Sequence, residues 1–350
     1  MNRYIVDILK KWSLLVVLVL LMVGCASEFD EFETGVKVEF TTPYLQDLQI
    51  ETKAPTGYSG SISGSSSMGV FVRGMQNQST ITFNGSSWES SLKLDPAQYN
   101  IYSYIPKRSD SGVSFNTTGS NPVMTFSGVP FITDQEILIS SGAVAETVTE
   151  EGGTFTPSDK TGSLVKYNYS IQVESKENTK NYVTFMMDRV MAKVNLNFKV
   201  HEKYNAIRTI KIKKVTLQPT TTVDIACTLT DRDITYQRTS TQSATLSPLV
   251  YNHSGFKVEI DANDATPFAT FYSVPGVEGT IKMTVVYDVY DKSGTGTLIR
   301  ENQEVSNASI KLIETGTLTR AKEYKLNVNI VPTYLYSLSD TDKESVMLVP

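Results

Sequence analysis

The sequence predicts an all-β protein of antiparallel sheets. Apolar and polar residues alternate with a period of two along many segments, and no long segment has the period of an amphipathic helix. The connections between these segments are rich in Ser, Gly and Thr, a composition typical of exposed loops. Alternation places one face of each strand inward and the other in water, which favours sheets packed as sandwiches over parallel α/β sheets.

The strongest alternating runs are predicted to be strands, and they cover residues 165–173, 194–200, 281–289 and 324–330. In the run that begins at Ile210 the alternation slips by one residue at Lys213 and Lys214, which predicts a β-bulge there. Residues 179–192 are interpreted as a short helix or turn before the strand at Val194.

Length and composition predict a domain division. At about 150 residues per domain, the 350-residue chain has room for two domains after a signal peptide. The predicted parts are a signal peptide at 1–24, an acidic tether at 25–35, an N-terminal β-sandwich at 36–180, and a C-terminal β-sandwich at 181–350 that ends in a candidate donor-strand tail.

The N-terminus has the pattern of a lipoprotein signal. A basic start precedes an apolar run at 14–23 that is too short to cross a bilayer as a helix. The next residues resemble a lipobox, which implies cleavage between Gly24 and Cys25 and acylation of Cys25 by palmitate-like chains, although Met22 stands where Leu is usual. Acyl chains would hold the protein to the outer membrane. The alternative is an ordinary signal peptide with an incidental cysteine.

Charge and residue chemistry exclude several classes of function. The formal net charge is −5 and there is no basic cluster, so nucleic acid is not an expected partner. The two histidines, His201 and His253, have no neighbours at metal-ligand spacing, so neither a metal nor another cofactor is expected. Cys227 lies in an alternating run and is interpreted as a core residue. No catalytic motif is present, and we expect no enzyme activity.

Three segments together resemble the fimbrillin-like proteins of Bacteroidetes, the type V pilin superfamily. Trp88 and the tyrosine-rich run 99–106 resemble one strand element of the family, and residues 188–196 resemble its R-x-x-A-K-V element. Residues 318–326 resemble a closing G-x-x-Y-x-L pattern, except that Ala321 and Lys322 stand where Gly is usual. The acidic run 27–33 resembles a surface-export signal of such lipoproteins, and its alternative interpretation is a solvated tether.

The resemblance implies a fold, a location and a mechanism. It implies two tandem transthyretin-like antiparallel β-sandwich domains in a lipoprotein of the outer membrane and cell surface. It also implies a fimbrial subunit whose first strand leaves after proteolysis, so that an extended segment of the next subunit fills the groove by strand addition. The expected partners are other fimbrial subunits in a homo- or hetero-polymer, the outer membrane through the lipid anchor, and a host or bacterial surface ligand.

Particular residues can be assigned to this mechanism. The candidate displaced strand alternates Val36, Val38 and Phe40 with polar residues. Candidate cleavage follows Lys53, in an expected exposed loop, or Arg73, which has the basic residue favoured by the family but lies inside an apparent strand. The candidate donor segment carries Tyr334, Tyr336 and Leu338 in alternation, and its alternative interpretation is a frayed tail.

Two alternatives remain open at the level of sequence. An anchor or accessory subunit would keep its lipid and first strand. A glycan- or host-binding β-sandwich lipoprotein would instead bind through an aromatic platform of Trp88 and Tyr99, Tyr102 and Tyr104, although these residues fit core packing better.

Overall fold

A computed structural model gives the fold of residues 35–50, 58–62, 66–75, 77–149, 169–176, 179–230, 234–253, 258–260, 265–276, 280–292, 296–312, 317–331 and 348–349. Most of these residues lie in strands and very few in a helix, which confirms the predicted all-β class. Within these ranges the single helix is α1, Glu202–Asn205, one turn long.

The first sheet has eleven strands, drawn mostly from the first half of the chain. They are β1 (Val36–Phe40), β2 (Tyr44–Gln46), β4 (Tyr58–Ser61), β5 (Ser67–Val72), β6 (Ser79–Phe83), β7 (Trp88–Glu89), β8 (Lys93–Leu94), β9 (Gln98–Ile105), β13 (Leu138–Thr149), β14 (Ser170–Gln172) and β15 (Thr179–Arg189). Seven of them pair in a closed ring, in the order β1, β15, β13, β9, β5, β6, β7 and back to β1. One apolar core belongs to this ring and includes Val38, Phe40, Met68, Trp88 and Phe185.

A four-stranded sheet joins the two halves of the chain, and we call it the bridging sheet. Its strands, in spatial order, are β10 (Val113–Asn116), β11 (Val123–Pro130), β18 (Thr221–Leu229) and β19 (Ile234–Ser243). The pairing of β11 with β18 runs antiparallel, with Met124 opposite Cys227. Because strands from both halves share this sheet, they also share a second, larger apolar core.

The remaining two sheets come mainly from the second half. The third sheet contains β3 (Gln49–Ile50), β12 (Ile132–Thr133), β16 (Ala192–Val200), β22 (Thr266–Ser273), β25 (Lys322–Ile330) and β26 (Leu348–Val349). The fourth contains β17 (Arg208–Gln218), β20 (Leu249–Asn252), β21 (Val258–Ile260), β23 (Thr280–Asp291) and β24 (Leu298–Lys311).

Most strand predictions agree with this fold. The runs at 194–200, 281–289 and 324–330 lie in β16, β23 and β25, and the pairing of β17 with β23 shifts register between Ile212 and Lys214, which confirms the predicted bulge. The helix or turn expected at 179–192 is wrong, because most of that segment is β15. β15 is fully paired, with β13 on one side and β1 and β2 on the other, and this tertiary pairing overrides its weak local pattern.

Not every pair of strands is antiparallel. β1 and β2 lie parallel to β15, and β3 and β16 lie parallel to β25, whereas all other described pairs are antiparallel. The domain division near residue 180 stays a prediction. β15, which follows residue 178, pairs with β13 in the first sheet, and β11 pairs with β18 in the bridging sheet. Strands from before and after residue 180 therefore share two sheets.

Tyr104 connects the first sheet to the bridging sheet. The side chain is fully buried, its ring meets Phe126 edge-on at 5.5 Å, and its hydroxyl donates to Gln78 Oε1 at 2.5 Å. Burial raises the pKa of this hydroxyl above its usual value. Gly69, opposite Tyr104 on β5, leaves the space for the ring, since a Cβ there would lie 2.3 Å from Tyr104 Cε1.

Gly69→Ala is therefore expected to destabilise the fold by about 1–3 kcal/mol, because the added methyl group overpacks the Tyr104 ring. Urea unfolding followed by fluorescence measures the change. Gly119→Ala is the matched control, because its new Cβ would lie 3.7 Å from the nearest atom, the Asn121 carbonyl oxygen. Equal unfolding midpoints for the two variants would contradict this account of the core.

Candidate functional site

β1 closes the ring of the first sheet with its inward side chains. Val38 is fully buried and Phe40 is 5% exposed, whereas Lys37, the residue before Val38, faces water. The Phe40 ring stacks on Phe185 of β15 at a centroid distance of 5.8 Å. Burying each of these two apolar side chains contributes about 1.5–3 kcal/mol relative to leaving it in water.

Backbone pairing holds β1 on both sides. Val38 lies opposite Asn181 of β15 in parallel, and Phe40 lies opposite Trp88 of β7 in antiparallel. The Val38 N–H donates to the Leu92 carbonyl at 3.0 Å. β1 is therefore an interior strand, and its removal would expose the unpaired backbone of β15 on one side and of β7 and β8 on the other.

Beyond Phe40 the chain continues along β15 as the strand β2. β2 pairs with β15 further on, with Tyr44 opposite Met186. Tyr44 follows Phe40 by four residues, but its partner Met186 follows Val183, the partner of Phe40, by only three. The lead segment therefore has one extra residue here, which forms a bulge beside Pro43. β3 then pairs in parallel with β25, with Ile50 opposite Glu323. Residues 36–50 thus form one extended segment, which we call the lead segment, and it lies on the first and third sheets.

A buried polar cluster fixes the lead segment at Gln46. The Arg189 Nε donates to the Gln46 carbonyl oxygen at 2.8 Å, and the Arg189 backbone N–H donates to Gln46 Oε1 at 3.2 Å. The Arg189 guanidinium also forms an ion pair with Glu136, and both side chains are nearly buried. Burial raises the pKa of the Glu136 carboxyl group, and the neighbouring Arg189 opposes that rise without cancelling it.

The predicted site residues divide into three groups. Val36, Val38 and Phe40 lie together on β1. Arg73 does not lie inside a strand as the sequence indicated, because β5 ends at Val72 and Arg73 is an exposed turn residue. Its backbone N–H still donates to the Asn100 carbonyl at 2.9 Å. A third group lies outside the described residues: Gly24, Cys25, Lys53, Tyr334, Tyr336 and Leu338.

The aromatic residues proposed as a sugar platform belong largely to the core. Trp88, Tyr102 and Tyr104 are at most 5% exposed, and Tyr99 packs partly buried against the core of the ring. A different face is open instead. The outward side of β16, β22 and β25 forms a concavity of about 670 Å³. Polar side chains dominate it, among them Asn195, Asn197, Lys199, Lys325 and Asn327.

Sequence reasoning missed the polar cluster at the end of the lead segment. Arg189 stood within a motif that marked a domain start, but nothing in the sequence connected it to Gln46 or Glu136. The partners are 143 and 53 residues away along the chain, so only the pairing of β2 with β15 brings them together.

The histidines and cysteine have structural surroundings. The His201 side chain accepts from the Lys203 N–H at the start of α1, and the His253 ring packs on Phe268 at 4.5 Å. Among the described residues, no group of three or more His, Cys, Asp or Glu side chains could hold a metal ion. Cys227 is fully buried, which confirms its core position, and burial raises the pKa of its thiol to about 12.

No helix within the described ranges is long and apolar enough to span a membrane.

Comparison with known proteins gives structural neighbours of low similarity. No family model matches the chain, and no curated protein matches it. A fimbrial protein from Bacteroides vulgatus is 13% identical at a TM-score of 0.42, with 83% of this chain and 94% of that chain covered. A candidate cell adhesion protein from Bacteroides fragilis is 9% identical at a TM-score of 0.43, with 90% and 96% covered. At these values the likeness assigns neither family nor function.

Phe40→Ala is expected to lower the free energy of unfolding by about 3–5 kcal/mol, because it empties the pocket beside Phe185. Lys37→Ala, on the outward face of the same strand, is expected to change it by less than about 0.5 kcal/mol. Urea unfolding of the two variants measures the difference. If both variants unfold at the same denaturant concentration, β1 does not contribute to the core as described.

Proposed function

We propose that this chain is a fimbrial subunit of the bacterial surface that assembles by strand addition. It is exported as a lipoprotein acylated at Cys25, and proteolysis then releases its lead segment. An extended segment of another subunit enters the emptied groove. The polymer contributes to adhesion.

The observation that carries this proposal is the way the lead segment is held. Its three strands contact β15 and β25, which follow it by more than a hundred residues. In addition, β1 pairs with β7 and β8, and β2 pairs with β4. A single cut between β3 and β4 would leave the whole segment bound by strand pairing and side-chain contacts alone, as a replaceable ligand is.

The vacated groove would favour the entry of another strand. It would present unpaired backbone along β15 and two empty apolar pockets, those of Val38 and Phe40. An extended segment with apolar residues two positions apart can fill both pockets while its backbone restores the ladder. Exposed backbone and core of this kind otherwise lead to aggregation, so the groove needs an occupant.

The two candidate cleavage points differ in what they would release. Lys53 follows β3 directly in the sequence and precedes β4, so a cut there frees only the lead segment. A cut after Arg73 would also detach β5, whose Met68, Val70 and Val72 are at most 2% exposed. β5 lies between β6 and β9, so its loss would open the ring at a second place. We therefore favour Lys53, although the exposed Arg73 is also accessible.

Lys53→Ala is expected to block processing and keep the chain out of fibres, whereas Arg73→Ala is expected to leave both unchanged. Mass spectrometry of the chain from outer-membrane fractions and from sheared fibres gives the first residue in each. The wild-type chain in fibres should begin at Ala54. Wild-type fibres in which the chain begins after Arg73 would contradict the assignment of the cut. A chain that begins at acylated Cys25 and is absent from fibres would contradict the proposed polymer.

A second candidate function is supported by the concave face of the third sheet. Asn197 is 6% exposed and donates to Asn327 Oδ1 at 3.0 Å, so amide groups are fixed in a row beside Lys199 and Lys325. Fixed amides and cations are suited to the hydroxyl and acidic groups of glycans. The uncut chain would then bind acidic oligosaccharides, and Lys325→Ala should weaken that binding at least about tenfold. Lys213→Ala, on the fourth sheet, is the control for a glycan-array measurement.

A further inference from the structure

The polar cluster of Gln46, Arg189 and Glu136 adds a side-chain requirement to the strand pairing of the lead segment. The backbone of a bound strand can pair with β15 whatever its sequence, and the pockets of Val38 and Phe40 require only apolar residues. At Gln46, by contrast, both the backbone and the side chain of the lead segment form hydrogen bonds with Arg189. The Arg189 guanidinium donates to the Gln46 carbonyl, and the Arg189 N–H donates to the carboxamide oxygen of the same residue.

Arg189 is held in place before any strand arrives. Glu136, in the loop before β13, forms an ion pair with the guanidinium, and the adjacent Val190 N–H donates to the Ile137 carbonyl at 3.0 Å. These contacts do not involve the lead segment. The guanidinium can bind the main-chain carbonyl of any strand that occupies the groove. The Arg189 backbone N–H, which is fixed by the rest of the fold, needs a side-chain acceptor from that strand.

We infer that position 189, held in place by the ion pair of Arg189 with Glu136, selects, through its backbone N–H, strands with a carboxamide side chain at the position of Gln46. This inference rests on the proposed strand addition and adds a sequence requirement to it. A matching strand carries apolar residues at the places of Val38 and Phe40 and a glutamine six residues after the latter. A strand with an apolar residue at that place leaves the buried Arg189 N–H without its acceptor.

A carboxylate is a poorer match than a carboxamide at this position. Glu136 Oε1 is buried and has no hydrogen-bond partner among the described residues. Burial already raises the pKa of Glu136, so Arg189 compensates a single carboxylate incompletely. A second negative charge beside it would have to share the same guanidinium.

The candidate donor tail of this chain does not meet the requirement. Residues 331–350 contain neither glutamine nor asparagine. With Tyr334, Tyr336 or Leu338 in the Phe40 pocket, and the tail running in the direction of the lead segment, the residue six positions later is Asp340, Asp342 or Glu344. The selectivity of Arg189 therefore favours a strand from a different subunit over the tail of a second copy.

The test uses the full chain with a specific protease site inserted after Lys53, so that the lead segment becomes an exchangeable peptide. Fluorescence anisotropy measures binding of a labelled peptide of residues 35–50 to the cut protein. The Gln46→Met and Gln46→Glu peptides should each bind at least about tenfold more weakly than the wild-type peptide. The Lys37→Met peptide, altered on the outward face, is the control and should bind as the wild-type peptide does.

On Arg189→Met protein both the wild-type and the Gln46→Met peptides should bind more weakly, because the main-chain carbonyl at position 46 loses its guanidinium donor, but the wild-type peptide should still bind more tightly than the Gln46→Met peptide, because the backbone N–H at position 189 remains. If the Arg189→Met protein does not fold, the peptide variants on wild-type protein still decide the question. Equal binding of the wild-type and Gln46→Met peptides to wild-type protein would overturn the role of Arg189 and leave strand addition standing. Failure of every peptide to exchange would overturn strand addition, and the inference with it.

Discussion

The fold depends on the closure of the first sheet by β1. Seven strands form a ring. β1 closes this ring because it pairs with β15 on one side and with β7 and β8 on the other. A closed ring has no unpaired edge and keeps its apolar core dry. In the proposed mechanism, one cut in the chain between β3 and β4 would make this closure reversible.

The rest of the molecule keeps the groove in shape. The bridging sheet joins β11 to β18, and Phe126 of β11 packs against Tyr104 of the ring. The two halves therefore share a core and a sheet in addition to the lead segment. Without the lead segment, β15 and β25 would still be paired with β13 and β16. In the proposed mechanism, both parts of the groove would therefore remain in place for an incoming strand.

Local alternation was sufficient to predict the all-β class, most interior strands and the bulge at Lys213, because each depends on which face of a strand is buried. It could not predict which strands pair. The helix or turn expected over β15 is wrong, because tertiary contacts bury three of its polar residues, Asn181, Thr184 and Asp188, and so interrupt the alternation that would have indicated a strand. The apolar residues of β1 could be identified because they alternate with polar residues, as in the other predicted strands. Gln46, Glu136 and Arg189 were not, since their association depends on contacts across the chain.

The outer strand β24 has the features of an edge that does not pair with a further strand. β24 is an outer strand of the fourth sheet, and its pairing with β23 shifts register in three places. Asn302 and Asn307 adopt positive φ angles there, and the fully buried Asp288 accepts from the Asn302 N–H at 2.7 Å. Bulges and charges of this kind prevent a further strand from adding. Along β15, Val183, Phe185 and Met187 face the apolar core of the ring, and within the described part of the chain the lead segment covers this edge. If the proposed strand addition takes place, the irregular edge of β24 would disfavour it and the groove of the lead segment would be the place that favours it.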